Sequence, residues 1–189
     1  MVDPDDPRIS DETLLRRFTA GDAAAFDRLV KRHQSAVYRY ARAVLPDGAD
    51  AEEVLRDAFQ AARRAAGRFR DEPSARSWLL SFARNAARQR HPRDREADTT
   101  PLRDLARAAG WNSPNGAASP PVDARSLEAA LEALAPEDRE ALILREREKL
   151  GPDEASRVTG LTNAAVRARL HRARLRLVAK LREGEADGR

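Results

Sequence analysis

Residues Pro152 to Arg172 read PDEASRVTGLTNAAVRARLHR. Proline suits a first helical position, glycine ends helices and threonine caps them. The stretch therefore predicts a short helix from Pro152 to Thr159, a break at Gly160 and a second helix capped by Thr162. A helix-turn-helix needs a small residue in its first helix, a glycine at the turn and an apolar anchor in the second helix. Ser156, Gly160 and Val166 stand at those spacings. Val166, Leu170, Ala173, Leu177 and Leu181 recur at helical spacing and leave Arg167, Ala168, His171 and Arg172 on the other side. An arginine-rich helix with free N-terminal turns suits the major groove of duplex DNA. A solvated helix of a small bundle has the same pattern, and this segment alone leaves both readings open.

Toward the N-terminus, Leu127, Ala130, Leu131 and Leu134 line one helix, and Pro136 opens another that carries Ala141, Leu142 and Leu144. These helices join the helix-turn-helix in one expected domain, 126–183. Before it, Pro101, Pro114, Pro120 and Pro121, the turn cluster Asn112 to Gly116 and cancelling charges mark residues 93–125 as a linker. Leu102 to Trp111 has room for one or two helical turns within it.

The first part of the chain is also divided into helices. Ser10 and Asp11 offer caps for a short helix that Gly21 closes. Asp22 opens a long one with Phe26, Leu29, Val30, His33, Val37, Tyr40, Ala41 and Val44 at helical spacing, stopped by Pro46-Asp47-Gly48. Asp50 and Glu53 have capping-box spacing for a third helix running to Gly67. Pro73-Ser74 begins a fourth, with Trp78, Leu79, Phe82, Ala83 and Ala86 on one face, and His91-Pro92 ends it. These four form an expected bundle over 10–92. With no strand pattern or internal repeat, the expected fold is all-α: two small helical domains on a flexible linker.

Composition narrows the function. Among 189 residues there is no cysteine, which excludes thiol catalysis, disulfides and Cys-ligated zinc. No apolar run approaches the roughly 20 residues of a membrane span, and the acidic start is unlike a signal peptide, so a cytoplasmic location is expected. Thirty-five basic residues stand beside 31 acidic ones, so net charge permits a nucleic-acid partner without requiring one. Their placement says more. Seven basic side chains and no acid lie between Arg167 and Arg182, whereas Asp50, Glu52, Glu53 and Asp57 surround the single Arg56. One basic and one acidic face suggest two different partners.

Chemistry-bearing constellations are few. His33, His91 and His171 lie on separate elements without paired-ligand spacing, so no metal or other cofactor is expected. There is no nucleophile elbow, Walker loop or dinucleotide fingerprint, and no enzyme is expected. Asp50 and Glu52 are explained by a helix dipole; Glu53 and Asp57, one turn apart, form an unfavourable like-charge pair that a protein contact would explain. Trp78 and Phe82 read as core. The other side of their helix carries Arg76, Ser81, Arg84, Asn85 and Arg88, which with Arg68 and Arg70 suit a phosphate backbone or a single strand.

The ordered set of segments carries a resemblance. Asp11-Glu-Thr-Leu-Leu, Gly21 to Phe26, Asp50 to Phe59, Arg68-Phe69, Ser77-Trp-Leu79, Ala83-Arg-Asn85, Leu134 to Arg145 and Val166 to Arg174 occur in the order of the extracytoplasmic-function (ECF) RNA polymerase sigma factors. The chain resembles that family almost throughout, outside the linker. The resemblance implies that 10–92 is sigma region two and 126–183 is sigma region four. It further implies that the chain binds core RNA polymerase and directs promoter recognition, melting and initiation. Asp50, Glu52, Glu53 and Asp57 would dock on the clamp of the largest subunit, with a second contact to the flap of the second-largest. Arg68, Arg70, Arg76, Arg84, Asn85 and Arg88 would hold the melted minus-ten element, and Thr162, Asn163, Arg167, Ala168, His171 and Arg172 would read the minus-thirty-five element. A cognate anti-sigma factor is an implied partner, and the free chain is expected to be a monomer. Two departures stand out: Arg56 where the family often has Gln, and no Trp in Ala61 to Ala66. A conventional dimeric helix-turn-helix regulator, an enzyme on a helical bundle and an RNA-binding paralogue are the competing readings.

Overall fold

The computed structural model describes residues 9–45, 50–70, 72–91, 101–109 and 123–187. The expected stops at Pro46-Asp47-Gly48 and Pro92 and the turn cluster Asn112 to Gly116 lie outside them. The described elements are α1 (Asp11–Thr19), α2 (Ala23–Val44), α3 (Ala51–Ala65), α4 (Ala75–Arg90), α5 (Leu102–Ala108), α6 (Ala124–Glu132), α7 (Pro136–Leu142), α8 (Pro152–Thr159) and α9 (Asn163–Asp187), with no strand among the described residues. A 3-10 turn (Ala66–Arg68) follows α3, and a π-helical turn (Ile143–Arg147) follows α7.

These elements fall into two compact units. The first gathers α1 to α4 and α8; the second gathers α5, α6, α7 and α9. In the first, α4 packs against α2, α3 and α8. Its core joins Leu14 and Leu15 of α1, Phe26, Leu29, Val37 and Tyr40 of α2, Val54 and Phe59 of α3, and Trp78, Leu79 and Leu80 of α4. Aromatic edges tie these layers together: Phe26 meets Phe18 at 4.9 Å and Phe59 at 6.5 Å, and Trp78 meets Phe69 at 5.2 Å and Phe82 at 5.0 Å.

The helix starts follow from local chemistry. Ser10 Oγ accepts from Thr13 N–H, Asp22 Oδ1 from Ala25 N–H and Ser74 Oγ from Ser77 N–H. Two expected caps are corrected. Asp11 is the first residue of α1, and its carboxylate holds Arg32 Nη1 at 2.5 Å and His33 Nε2 at 2.6 Å. Buried His33 is thereby satisfied across α1 and α2. Asp50 makes no side-chain cap on α3; its Oδ2 instead pairs with His91 Nε2 at 2.7 Å, so the capping box gives way to a contact between the start of α3 and the end of α4.

Placement of α8 also differs from the sequence division, which assigned it to 126–183. Its Ala155 and Val158 are buried, as is Thr159, whose Oγ1 donates to Ala155 C=O, and the helix packs on α4. Glu154 bridges the two helix starts: one carboxylate oxygen accepts from Ser74 Oγ at 2.5 Å, the other from Gly151 N–H at 2.7 Å. Arg157 donates to both oxygens of Glu72. Periodicity shows only that α8 has an apolar face, not which neighbour receives it.

In the second unit α9 is the spine, with two apolar stripes. One packs Leu170 and Ala173 against Leu134 and Leu142, with Leu131 and Leu177 beside them. Leu127, expected on that line, is exposed. The other stripe, Leu175 and Val178, receives Leu105 of α5 and Ala109, the residue that caps it. The helical part of the expected linker is thus an anchored element, because Leu105 and Ala109 one turn apart give even a short helix an apolar face.

Candidate nucleic-acid interface

Helix α9 begins where the sequence predicted. Thr162 Oγ1 accepts from Ala165 N–H at 3.2 Å, and Thr162 C=O from Val166 N–H at 2.9 Å. Gly160 takes the left-handed conformation (φ +69°) that ends α8, and Ser156 Oγ donates to Leu161 C=O at 2.7 Å, bracing the turn. With Val166 and Leu170 turned inward, Thr162, Arg167, Ala168, His171 and Arg172 are exposed and Asn163 half-buried. The first three turns of α9 therefore display a polar and basic face.

Three cations further along the basic run are held in ion pairs. Arg176 forms a buried ion pair with Asp138 of α7, Arg174 pairs with Glu146 at 2.5 Å and Lys180 with Glu183 at 2.8 Å. The Arg174 hydrogen bond, and its charge, hold the Glu146 carboxyl below its usual range. Counting charges along a sequence cannot separate cations that fasten α9 to α7 from cations facing solvent.

The expected minus-ten residues divide. Arg68, Arg70 and Asn85 are exposed, whereas Arg76 and Arg88 are half-buried. Arg84 and Ser81 are buried, with Ser81 Oγ donating to Trp78 C=O at 2.6 Å. This corrects the reading of α4 as a helix with one open side: α2, α3 and α8 together surround it. Trp78, 2% exposed, belongs to the core as expected.

The acidic patch divides as well. Arg90, at the end of α4, donates to Glu53 Oε2 at 2.8 Å and to Asp57 Oδ2 at 2.5 Å. The pair that looked repulsive in sequence is bridged by a cation 33 residues further on, and these hydrogen bonds, Glu53 first, raise the Arg90 pKa above its ordinary value. Glu52 stays open to solvent beside a groove between α2 and α3 lined by Val30, Gln34, Tyr38, Leu55 and Arg56. Sequence reasoning missed this groove, because its two walls are far apart along the chain.

The chain thus combines a capped helix whose start is exposed and basic with a helical bundle that carries an acidic helix. Residues 29–96 match Sigma-70 region 2, and residues 124–177 match Sigma-70, region 4. ECF RNA polymerase sigma factor SigM of Mycobacterium tuberculosis is 33% identical over 172 residues, covering 91% of this chain and 85% of that protein. RNA polymerase sigma factor CarQ of Myxococcus xanthus is 32% identical over 175 residues, covering 92% and 98%. Among solved structures, CnrH in complex with the cytosolic domain of CnrY is 28% identical, with a TM-score of 0.62 and coverage of 88% and 94%. The chain belongs to the ECF RNA polymerase sigma factors, and its function is promoter recognition in transcription initiation. Among the described residues no helix is long and apolar enough to cross a membrane.

Proposed function

We propose that this sigma factor binds core polymerase through the exposed part of α3 and the groove beside it, and delivers two separate DNA-reading surfaces to a promoter. Glu52 is the open anion of the docking face, on the clamp of the largest subunit. Asp50, Glu53 and Asp57 shape that face while bound to His91 and Arg90. Arg68, Arg70 and Asn85 meet the melted minus-ten element, and Arg76, Arg84 and Arg88 support them from within α4. Thr162, Asn163, Arg167, Ala168, His171 and Arg172 read the minus-thirty-five duplex, while the second unit also meets the flap of the second-largest subunit. The protein acts without catalytic chemistry of its own and is a monomer when free. The solved complex of CnrH with the cytosolic domain of CnrY supports a regulatory protein partner for this chain too.

The single observation that carries this reading is the order of two sigma regions along one chain, the second with an exposed basic helix start. Copurification with core polymerase, followed by run-off transcription, tests it. Promoter-directed transcripts that need both core polymerase and this chain are expected. A dimer that binds paired duplex half-sites unaided would instead identify a conventional regulator.

A further inference from the structure

Two groups stand out among the arginines of the first unit. Arg32, Arg90 and Arg157 are held in ion pairs with Asp11, Glu53 and Asp57, and Glu72. A second set collects at one end of the bundle: Arg16 and Arg17 in the last turn of α1, Arg63 and Arg64 in the last turn of α3, and Arg68 and Arg70 just beyond. Among the described residues no carboxylate forms an ion pair with any of the six. All are exposed except Arg17, which is half-buried.

Tertiary contacts bring this set together. Helix α1 packs on the 3-10 turn that carries Arg68. The Arg63 guanidinium lies over the Phe18 ring, 5.7 Å from its centroid, and Phe18 in turn packs on Phe26. That stacking fixes the plane of one cation at the junction of α1 and α3. Arg16 is steadied by a 3.1 Å hydrogen bond to Thr13 Oγ1. Basic residues at helix C-termini complement the dipole, yet that effect accounts for a cation on each helix, not for two helix ends and a turn converging with six. Asp22, near the end of α1, is engaged in capping α2.

We propose that Arg16, Arg17, Arg63 and Arg64 form a phosphate-holding surface continuous with Arg68 and Arg70, along which the backbone of single-stranded promoter DNA runs. The inference rests on the promoter-binding reading above and extends it to α1 and α3, to which that reading assigns no DNA contact. Guanidinium groups with free donors suit phosphate oxygens, and each neutralised phosphate of a single strand adds about 0.7 to the slope of log affinity against log salt.

The test uses the full-length chain and a labelled single-stranded thirty-mer of thymidine, titrated by fluorescence anisotropy across a salt series. Arg16→Ala/Arg63→Ala/Arg64→Ala should lower the slope by about 2 and weaken binding at low salt by about tenfold or more. The matching triple Lys variant should keep most of the slope, and both variants should keep wild-type helicity. If the cluster only complements helix ends, the Ala variant will melt earlier yet show an unchanged slope, which overturns the proposal. Failure of the wild type to bind the thirty-mer at low salt overturns it too. Run-off transcription with core polymerase is measured in parallel. Its failure in the wild type counts against the promoter reading, whereas wild-type transcription with an unchanged slope in the Ala variant counts against the cluster alone.

Discussion

Asp11 shows how one side chain joins two helices and makes their union depend on pH. Burial raises its carboxyl pKa, but the hydrogen bonds and charges of His33 and Arg32 outweigh that and hold it below its ordinary value of 3.8. A group with a lowered folded-state pKa adds stability above its unfolded value, and that stability is lost as pH falls through the folded one. Wild type should therefore exceed Asp11→Asn in stability near neutral pH, with the gap closing below pH 3.8; urea unfolding across the range measures it. The acidic helix makes a second prediction. Because Arg90 already neutralises Asp57, Glu52→Gln should slow association with core polymerase more than Asp57→Asn, and Arg56→Glu should speed it. All three effects should shrink at high salt. Equal rates for the three variants at two salt concentrations would mean that α3 is a solvated face.

Helix α9 serves two purposes along its length. Its first three turns are pinned by Val166 and Leu170 and leave Arg172 exposed, in reach of a base edge. Arg172→Ala should cost about 1–3 kcal/mol of promoter affinity where it bridges a base, and less where it meets phosphate only. Holoenzyme binding to promoters altered base by base in the minus-thirty-five element distinguishes the two. The later turns hold α5 through Leu175 and Val178. Leu105→Ala should destabilise that docking by about 2 kcal/mol, read as faster amide exchange in α5. Protection of α6 and α7, which use the other stripe, should stay as in the wild type.

Across the whole chain, the grouping of α8 with α4 gives an outcome unlike that of two domains divided at the linker. A cut between residues 110 and 122 separates α4 from α8 covalently, but Glu72, Ser74, Glu154 and Arg157 still join them. The two fragments should therefore co-elute at low salt. Adding Glu72→Gln and Arg157→Ala, or raising the salt, should release them. Fragments of the unaltered chain that elute apart at low salt would show that α8 leaves α4 once the chain is cut.

Helical periods, three of the caps and the break at Gly160 were legible because they are local. Asp22, Ser74 and Thr162 act within three residues of themselves, and apolar spacing reveals a buried face whatever covers it. The exposed start of the recognition helix was legible for the same reason, since Val166 and Leu170 dictate which side Arg167 and Arg172 take. Side chains with two possible partners were not. Asp11 and Asp50 have cap positions in sequence and longer-range partners in space, where His33 and His91 wait with Arg32. Arg90 between Glu53 and Asp57, Arg176 on Asp138 and Arg84 buried within the bundle all depend on which helices meet. Spacing along one helix determines which residues share a face; only packing between helices decides whether that face meets water, an ion partner or another apolar stripe, because that choice rests on distances between residues far apart in the chain.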